Sequence, residues 1–303
     1  MSICIGIITV RDMHYHPNRR LSEAAARRGH TVILIHPYRC WPGFRNHAQK
    51  VIFWESEGSV PDAVLPRQGA DVGSSCLALI RQCQLEEIPV FNTFEAVRIS
   101  RHQFYTLQAL SAAGIAFPDS VFVNSADGFF RAVSDLGGYP VVVKEVSGRQ
   151  GGGVSRVDSP KMARTMIDAH LEKPQIDRQG LLIQRYIPPP GRRDIRTLVV
   201  GQQVIGAQVV TTAPGDFRAN FYLSGRSLWF EMTPQIEELS IRAARAVGLD
   251  IAGIDIMVEN GGVPLVGEVN YAPGFEGLEA ATRRDIAGDI IDYVVARIEH
   301  RYL

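Results

Sequence analysis

The stretch Gly253-Ile254-Asp255-Ile256-Met257-Val258-Glu259-Asn260-Gly261-Gly262-Val263-Pro264-Leu265-Val266-Gly267-Glu268-Val269-Asn270 carries most of the fold information in this chain. Two apolar runs flank an Asn-Gly-Gly turn signal, which predicts a hairpin of strands Ala252–Val258 and Val263–Val269. Side chains alternate faces along a strand, so Glu268 and Asn270 point the same way, and a turn about Asn260–Val263 sets Asp255 opposite Glu268. Three oxygen donors then converge on one face. Such a set suits magnesium, which binds through one or two carboxylates together with substrate phosphates. The plainer alternative is an ordinary hairpin whose acids face solvent. Against it, Ile254, Ile256 and Val269 fill one face while Met257 and Val266 lie beside the acids. Both faces therefore read as buried, and buried carboxylates need a cation or strong donors.

Further upstream, the strand Pro140–Glu145 carries Lys144 just ahead of Ser147-Gly148-Arg149-Gln150-Gly151-Gly152-Gly153. Glycines let backbone N–H groups approach phosphate oxygens, and the lysine adds a positive charge. A glycine-rich hairpin tip with no ligand is the alternative. The loop is neither a Walker A sequence nor a dinucleotide fingerprint, because no Gly-Lys-Ser/Thr follows and no helix starts after it. A third polar element, Gly215-Asp216-Phe217-Arg218-Ala219-Asn220, can hold a phosphoryl or carboxylate oxygen, although many surface loops share its composition.

These elements, with Leu182-Ile183-Gln184-Arg185-Tyr186, Asp194-Ile195-Arg196 and the run from Glu268 to Glu279, resemble in their order the ATP-grasp superfamily, and within it the RimK-type α-L-glutamate ligases. The resemblance covers roughly Asn92 to the C-terminus. It implies an α/β fold of the α+β ATP-grasp kind. A small parallel α/β pre-ATP-grasp domain would occupy residues 1–95, a central lobe with the glycine loop residues 96–186, and a lobe with the metal site residues 187–303. It further implies that Lys144, Ser147, Gly148, Gln150, Gly151 and Gly152 contact the ATP phosphates. Arg185 and Tyr186 would hold adenine, and Asp194 would bind near the ribose. Arg218 and Asn220 would reach the transferred phosphate as the catalytic pair, and Asp255, Glu268 and Asn270 would hold Mg2+, with Mn2+ as a substitute.

The implied reaction joins a carboxylate to an amine through an acyl phosphate. Its partners are ATP, an amino-acid donor, L-glutamate foremost, and a carboxylate-bearing acceptor that is a small molecule or a peptide. Another amino acid or amine, or an ATP-binding regulatory protein with weakened turnover, are the alternatives. Three positions depart from the family pattern. Gln103 in Ser100-Arg101-His102-Gln103 stands where relatives carry a lysine, leaving Arg101 as the substitute cation; Arg185 replaces a glutamate; and Val210–Pro214 replaces a basic cluster. Acceptor choice is therefore expected to reside in the first domain and in Arg192 and Arg193. His14, Tyr15 and His16 are candidate lining residues, with a plain surface loop as the alternative.

Lysine plus arginine equals aspartate plus glutamate at 32 each among 303 residues, so no charge excess argues for nucleic acid or an anionic membrane surface. Cys4, Cys40, Cys76 and Cys83 are scattered and read as reduced, mostly buried thiols. With no leader pattern and no long apolar run, the expected location is cytoplasmic; a homo-oligomer is an open alternative. Strands Ile3–Val10, Thr31–His36, Ala63–Leu65 and Pro89–Phe91 alternating with helices Leu21–Arg28 and Ser74–Glu86 predict a small parallel sheet. A helix capped by Ser100 opens the next unit, a hairpin joins Ile195–Val200 to Gln203–Val210, and helices Pro234–Val247 and Ile286–Ile298 complete the set.

Overall fold

The computed structural model describes residues 2–46, 49–54, 60–67, 73–149, 152–174, 179–212, 216–218 and 227–300. The chain opens with β1 (Cys4–Ile8), α1 (His16–Arg27), β2 (Thr31–Ile35), β3 (Cys40–Arg45), β4 (Gln49–Trp54), β5 (Ala63–Pro66) and α2 (Ser74–Leu85). Strands β2, β1 and β5 form the expected parallel sheet with β1 central, and Ile5, Ile7 and Ile8 are fully buried, as befits a strand covered on both faces. Helix α1 starts ahead of Leu21 because Pro17, whose φ is already helical, occupies its first turn. The antiparallel β3–β4 pair was not expected: Pro42 and Gly43 inside β3 are strand-breaking signals. Pro89–Phe91 makes only one parallel bridge, Val64 to Val90, instead of a strand.

The middle of the chain comprises α3 (Phe94–Ser100), α4 (Gln103–Ala112), β6 (Ser120–Val123), α5 (Ala126–Asp135), β7 (Val141–Arg149), β8 (Gly152–Val157), α6 (Pro160–Leu171) and β9 (Leu181–Arg185). Ser100 ends α3 and does not cap a helix. Thr93 caps α3 by accepting from the Ala96 amide, and the His102 ring caps α4 by accepting from the Tyr105 amide. The Ser100 hydroxyl instead donates to the carbonyl of Val269 at 2.7 Å. The four strands lie in the order β6-β9-β7-β8, all antiparallel. Phe129 of α5 and Ala163 and Ile167 of α6 pack with Val141, Val143 and Ile183 on one face, leaving Lys144 on the other.

The last part contains β10 (Arg192–Val200), β11 (Gln203–Val210), β12 (Ser227–Trp229), α7 (Pro234–Val247), β13 (Ile251–Glu259), β14 (Leu265–Asn270), α8 (Glu276–Thr282) and α9 (Ile286–Glu299). Its antiparallel sheet runs β12-β11-β10-β13-β14. Ile236, Ala243, Ala244 and Val247 of α7 cover one face together with Ile195, Val199, Ile254, Ile256 and Val269. The pairing of Asp255 with Glu268 is as expected, but a bulge follows, so that Ile256 pairs with Val266 and Gly267 is the extra residue. Val266 therefore turns to the apolar face, contrary to simple alternation. Gly267 sits where a Cβ would lie 2.9 Å from Met257 Cε. Helix α8 was also unexpected, its residues having been read only as a continuation of the acidic motif.

Asn92 fastens the first domain to the last sheet. It is buried, its Nδ2 donates to the carbonyls of Ile251 (2.7 Å) and Tyr271 (2.9 Å), and its Oδ1 accepts from the Ile251 amide at 2.9 Å. Asn92→Ala leaves those three backbone groups unpaired. The expected loss is about 2–4 kcal/mol, read as a lower urea midpoint at unchanged slope. A second fastening is ionic: Arg20 of α1 reaches Glu279 (2.9 Å) and Asp285 (2.8 Å), and Arg28 reaches Asp292 (2.6 Å). No helix among the described residues is long and apolar enough to cross a membrane. All four cysteines lie outside disulfides, and burial pushes the Cys76 and Cys83 thiols up to about 12.

Candidate active site

On the face of the last sheet opposite α7, register aligns Trp229, Gln208, Arg196, Asp255 and Glu268 in a single row across β12, β11, β10, β13 and β14. Directly opposed residues of antiparallel strands share a face, so these five side chains stand side by side. The adjoining row toward the helix side holds Leu198, Gly253 and Asn270, and the row on the other flank holds Val210, Asp194 and Met257. A Cβ on Gly253 would lie 2.7 Å from Pro273, so the segment after Asn270 folds directly over this face.

Asp255 is held by Arg196 in a two-pronged pair, Nε to Oδ1 at 2.5 Å and Nη2 to Oδ2 at 2.6 Å. Glu268 is pushed toward the protonated form by burial and by Asp255, and Lys144, Arg196 and a hydrogen bond from the Gln103 side chain oppose this. Burial pulls the Lys144 ammonium down, and Glu268 and Asp255 pull it back. Lys144 of β7 thus lies within electrostatic reach of the acids of the last sheet. The donor set of Asp255, Glu268 and Asn270 fits a hard divalent cation. All three offer oxygen, and the repulsion that raises the Glu268 pKa is what a cation between the acids would relieve.

The glycine loop is the tip of the β7–β8 hairpin, where Arg149 pairs with Gly152 beyond a register shift after Lys144. Ser147 and Gly148 lie in β7 and Gly152 in β8; Gln150 and Gly151 lie outside the described residues. At the end of β9, the Arg185 amide donates to the carbonyl of Asp119 at 2.9 Å and its guanidinium reaches Glu259 at 3.2 Å, which ties β9 to the end of β13. The Tyr186 ring carries the Arg156 guanidinium 4.8 Å from its centroid and meets Phe217 edge-on at 6.1 Å. Asp194 is paired with Arg192 at 3.0 Å; burial raises its pKa and Arg192 opposes that. Arg192 also donates to the Phe217 carbonyl at 2.8 Å, which places Phe217 between Arg192 and Tyr186. Arg218 turns back on Asp216 (2.7 Å), and Asn220 lies outside the described residues. Arg193 is exposed on β10.

Two expectations change here. Arg101, the substitute cation, donates to the carbonyl of Gly73 (3.3 Å), while Gln103 itself engages Glu268. His16 is half-buried. Its Nε2 lies 3.3 Å from Glu279, its ring meets Phe275 edge-on at 5.7 Å, and burial lowers its pKa. Buried Arg67 donates to the Pro273 carbonyl and lies over the same Phe275 ring, so the carboxyl ends of β1 and β5 abut the segment that follows Asn270. Arg196 and Gln103 were absent from the expected site residues. Arg196 sits two positions after Asp194 in a motif already noted, and only the register of β10 against β13 reveals its role.

Two family models cover nearly the whole chain: the RimK PreATP-grasp domain matches residues 1–97 and the RimK-like ATP-grasp domain residues 100–294. A protein of Azotobacter vinelandii named "Probable alpha-L-glutamate ligase" is 37% identical over 290 residues, covering 96% of this chain and 95% of its own. Among solved structures, a RimK domain ATP-grasp protein from Sphaerobacter thermophilus superposes with a TM-score of 0.75 at 22% identity, over 95% of this chain and 98% of that one. The ATP-grasp ligase PsnB, solved with a precursor variant, Mg and ADP, gives 0.72 at 19% identity, over 98% and 99%.

Proposed function

The chain belongs to the RimK family of ATP-grasp ligases, and from that premise we propose that it joins the amino group of an amino acid, L-glutamate foremost, to a carboxylate by way of an acyl phosphate. The observation that carries this reading is the oxygen-rich row of Asp255 and Glu268, flanked by Arg196 and faced by Lys144. Asp255, Glu268 and Asn270 would hold Mg2+, which when bound neutralises phosphate oxygens and orients the nucleotide.

Lys144 and Arg196 supply fixed positive charge at the place where phosphoryl oxygens gather, so charge that develops during transfer meets groups already in position. Arg192 and Asp194 hold each other at the start of β10, where the nucleotide ribose would lie. In the first step a carboxylate oxygen of the acceptor bonds to the γ-phosphorus, the β–γ bridge breaks, and ADP leaves. In the second an amine attacks the acyl carbon, phosphate departs, and the amine proton passes to phosphate or solvent. No side chain need be covalently modified. The wall formed by His16, Phe275, Glu279 and Arg67 lies at the acceptor end and carries the choice of substrate.

The test is ADP release with Mg-ATP against a panel of amino acids and small carboxylates. Release that needs both a carboxylate and an amine supports the reading. A second reading, a nucleotide-binding regulatory protein, is favoured by Gln103 standing where relatives have lysine. Tight ATP binding without ADP release for any pair would select it and sink the ligase.

A further inference from the structure

One buried polar atom on the face of Asp255 and Glu268 has no hydrogen-bond partner among the described residues. Gln208 is only 3% exposed, yet its Oε1 has no hydrogen-bond partner among the described residues. Its place in the fold is specific: it stands opposite Arg196 on one side and opposite Trp229 on the other, so it extends the row of Arg196, Asp255 and Glu268 away from the metal end. Gly206, two positions back on the same face, would bring a Cβ within 3.1 Å of Leu278, so α8 roofs this end of the row. α8 also carries Glu279, the residue paired with His16 at the acceptor wall.

A buried carbonyl without a donor is costly, and methionine or leucine would fill the position without that cost. Trp229 beside it is 61% exposed, a large ring left to solvent next to a desolvated acceptor. An apolar wall with one orienting polar group is how small-molecule subsites are built. The orphan atom is an acceptor, so its ligand must bring a donor. Of the three groups that react, the γ-phosphate and the carboxylate are acceptors, and the amine brings N–H.

Resting on the reaction proposed above, we propose that Gln208 Oε1 accepts a hydrogen bond from the amino group of the incoming amino acid. It orients that nitrogen toward the acyl carbon held beside Arg196, and Trp229 covers the amino acid's side chain. Gln208 is thus a specificity residue for the second step and has no part in the first.

The two steps can be read apart in the intact protein with Mg-ATP, a carboxylate that supports ADP release in the panel above, L-glutamate as the amine, and hydroxylamine as a competing nucleophile that traps the acyl phosphate as a hydroxamate. Gln208→Met is expected to lower amide formation by about tenfold or more. Hydroxamate formation at saturating hydroxylamine and the KM for ATP stay within about twofold of the parent. Gln208→Glu, which keeps an acceptor at the position, recovers most of the amide rate, and Gln208→Met folds at the parent's Tm or above. Parent-like amide formation by Gln208→Met overturns the inference. So does an equal loss of amide and hydroxamate, which would place Gln208 in the first step. Hydroxamate without amide from any common amino acid would overturn the choice of an amino-acid amine. Absence of both hydroxamate and ADP release in the parent with every carboxylate of the panel would sink the proposed reaction, and the inference with it.

Discussion

Glu268→Gln is expected to lower Mg-ATP-dependent turnover by about a thousandfold or more while leaving the folded protein at least as stable as the parent. The two effects have opposite signs because the same charge serves one and opposes the other. Glu268 is desolvated and lies beside Asp255, and both conditions raise its pKa against the pull of Lys144, Arg196 and Gln103. A carboxyl whose folded pKa is raised stabilises the fold while protonated, and that contribution is lost as pH rises from the unfolded value through the folded one. At neutral pH, without metal, titratable Glu268 is therefore a cost that the amide, which carries no charge at any pH, removes. Below the unfolded carboxylate pKa the parent and variant should converge. Urea unfolding at neutral and acidic pH checks the stability half, and ADP release checks the other. Parent-like turnover in Glu268→Gln would be fatal to the metal assignment.

The second large effect falls on Arg196. Arg196→Met removes both prongs of the pair with Asp255, whose side chain is 27% exposed, and removes a fixed cation from the cleft. Turnover is expected to drop by about a hundredfold or more, and the metal-free protein to lose about 1–3 kcal/mol, because an acid is left facing a second acid with one cation fewer. Arg196→Lys should recover only part of either loss, since an ammonium cannot match two parallel N–H donors. Magnesium with ADP should narrow the stability gap between parent and Arg196→Met, because a bound cation takes over part of the charge of Asp255. Equal destabilisation with and without Mg-ADP would show that Arg196 supports the sheet and not the site.

How much of this was legible in the sequence depends on the range of the interaction. The Asp255–Glu268 pairing was readable because a turn signal fixes hairpin register and alternation fixes the face. The same alternation failed at Val266, since a bulge is a local decision taken by Gly267 under Met257. The helix at Ser100 was misplaced for a similar reason. Serine is a good cap in general, but Thr93 and His102 lie at the backbone positions where caps are needed, and Ser100 is drawn to Val269 across the fold. Arg196 and Gln208 were out of reach because β10 meets β13 and β11 meets β12 only after long connections, and no local pattern states that pairing. The order of Lys144, the glycine loop and the acids carried the architecture, and the tertiary register carried the chemistry.

The central claim is that a carboxylate is activated by direct transfer of the γ-phosphoryl group. It is tested most directly by following oxygen. The protein is supplied with Mg-ATP, L-glutamate as the amine and a carboxylate acceptor shown to support ADP release, labelled with 18O in its carboxylate, and the inorganic phosphate formed is examined by mass spectrometry. Transfer through an acyl phosphate predicts one 18O atom in phosphate for each amide made. Amide formation with unlabelled phosphate, or with the label in AMP, would contradict it.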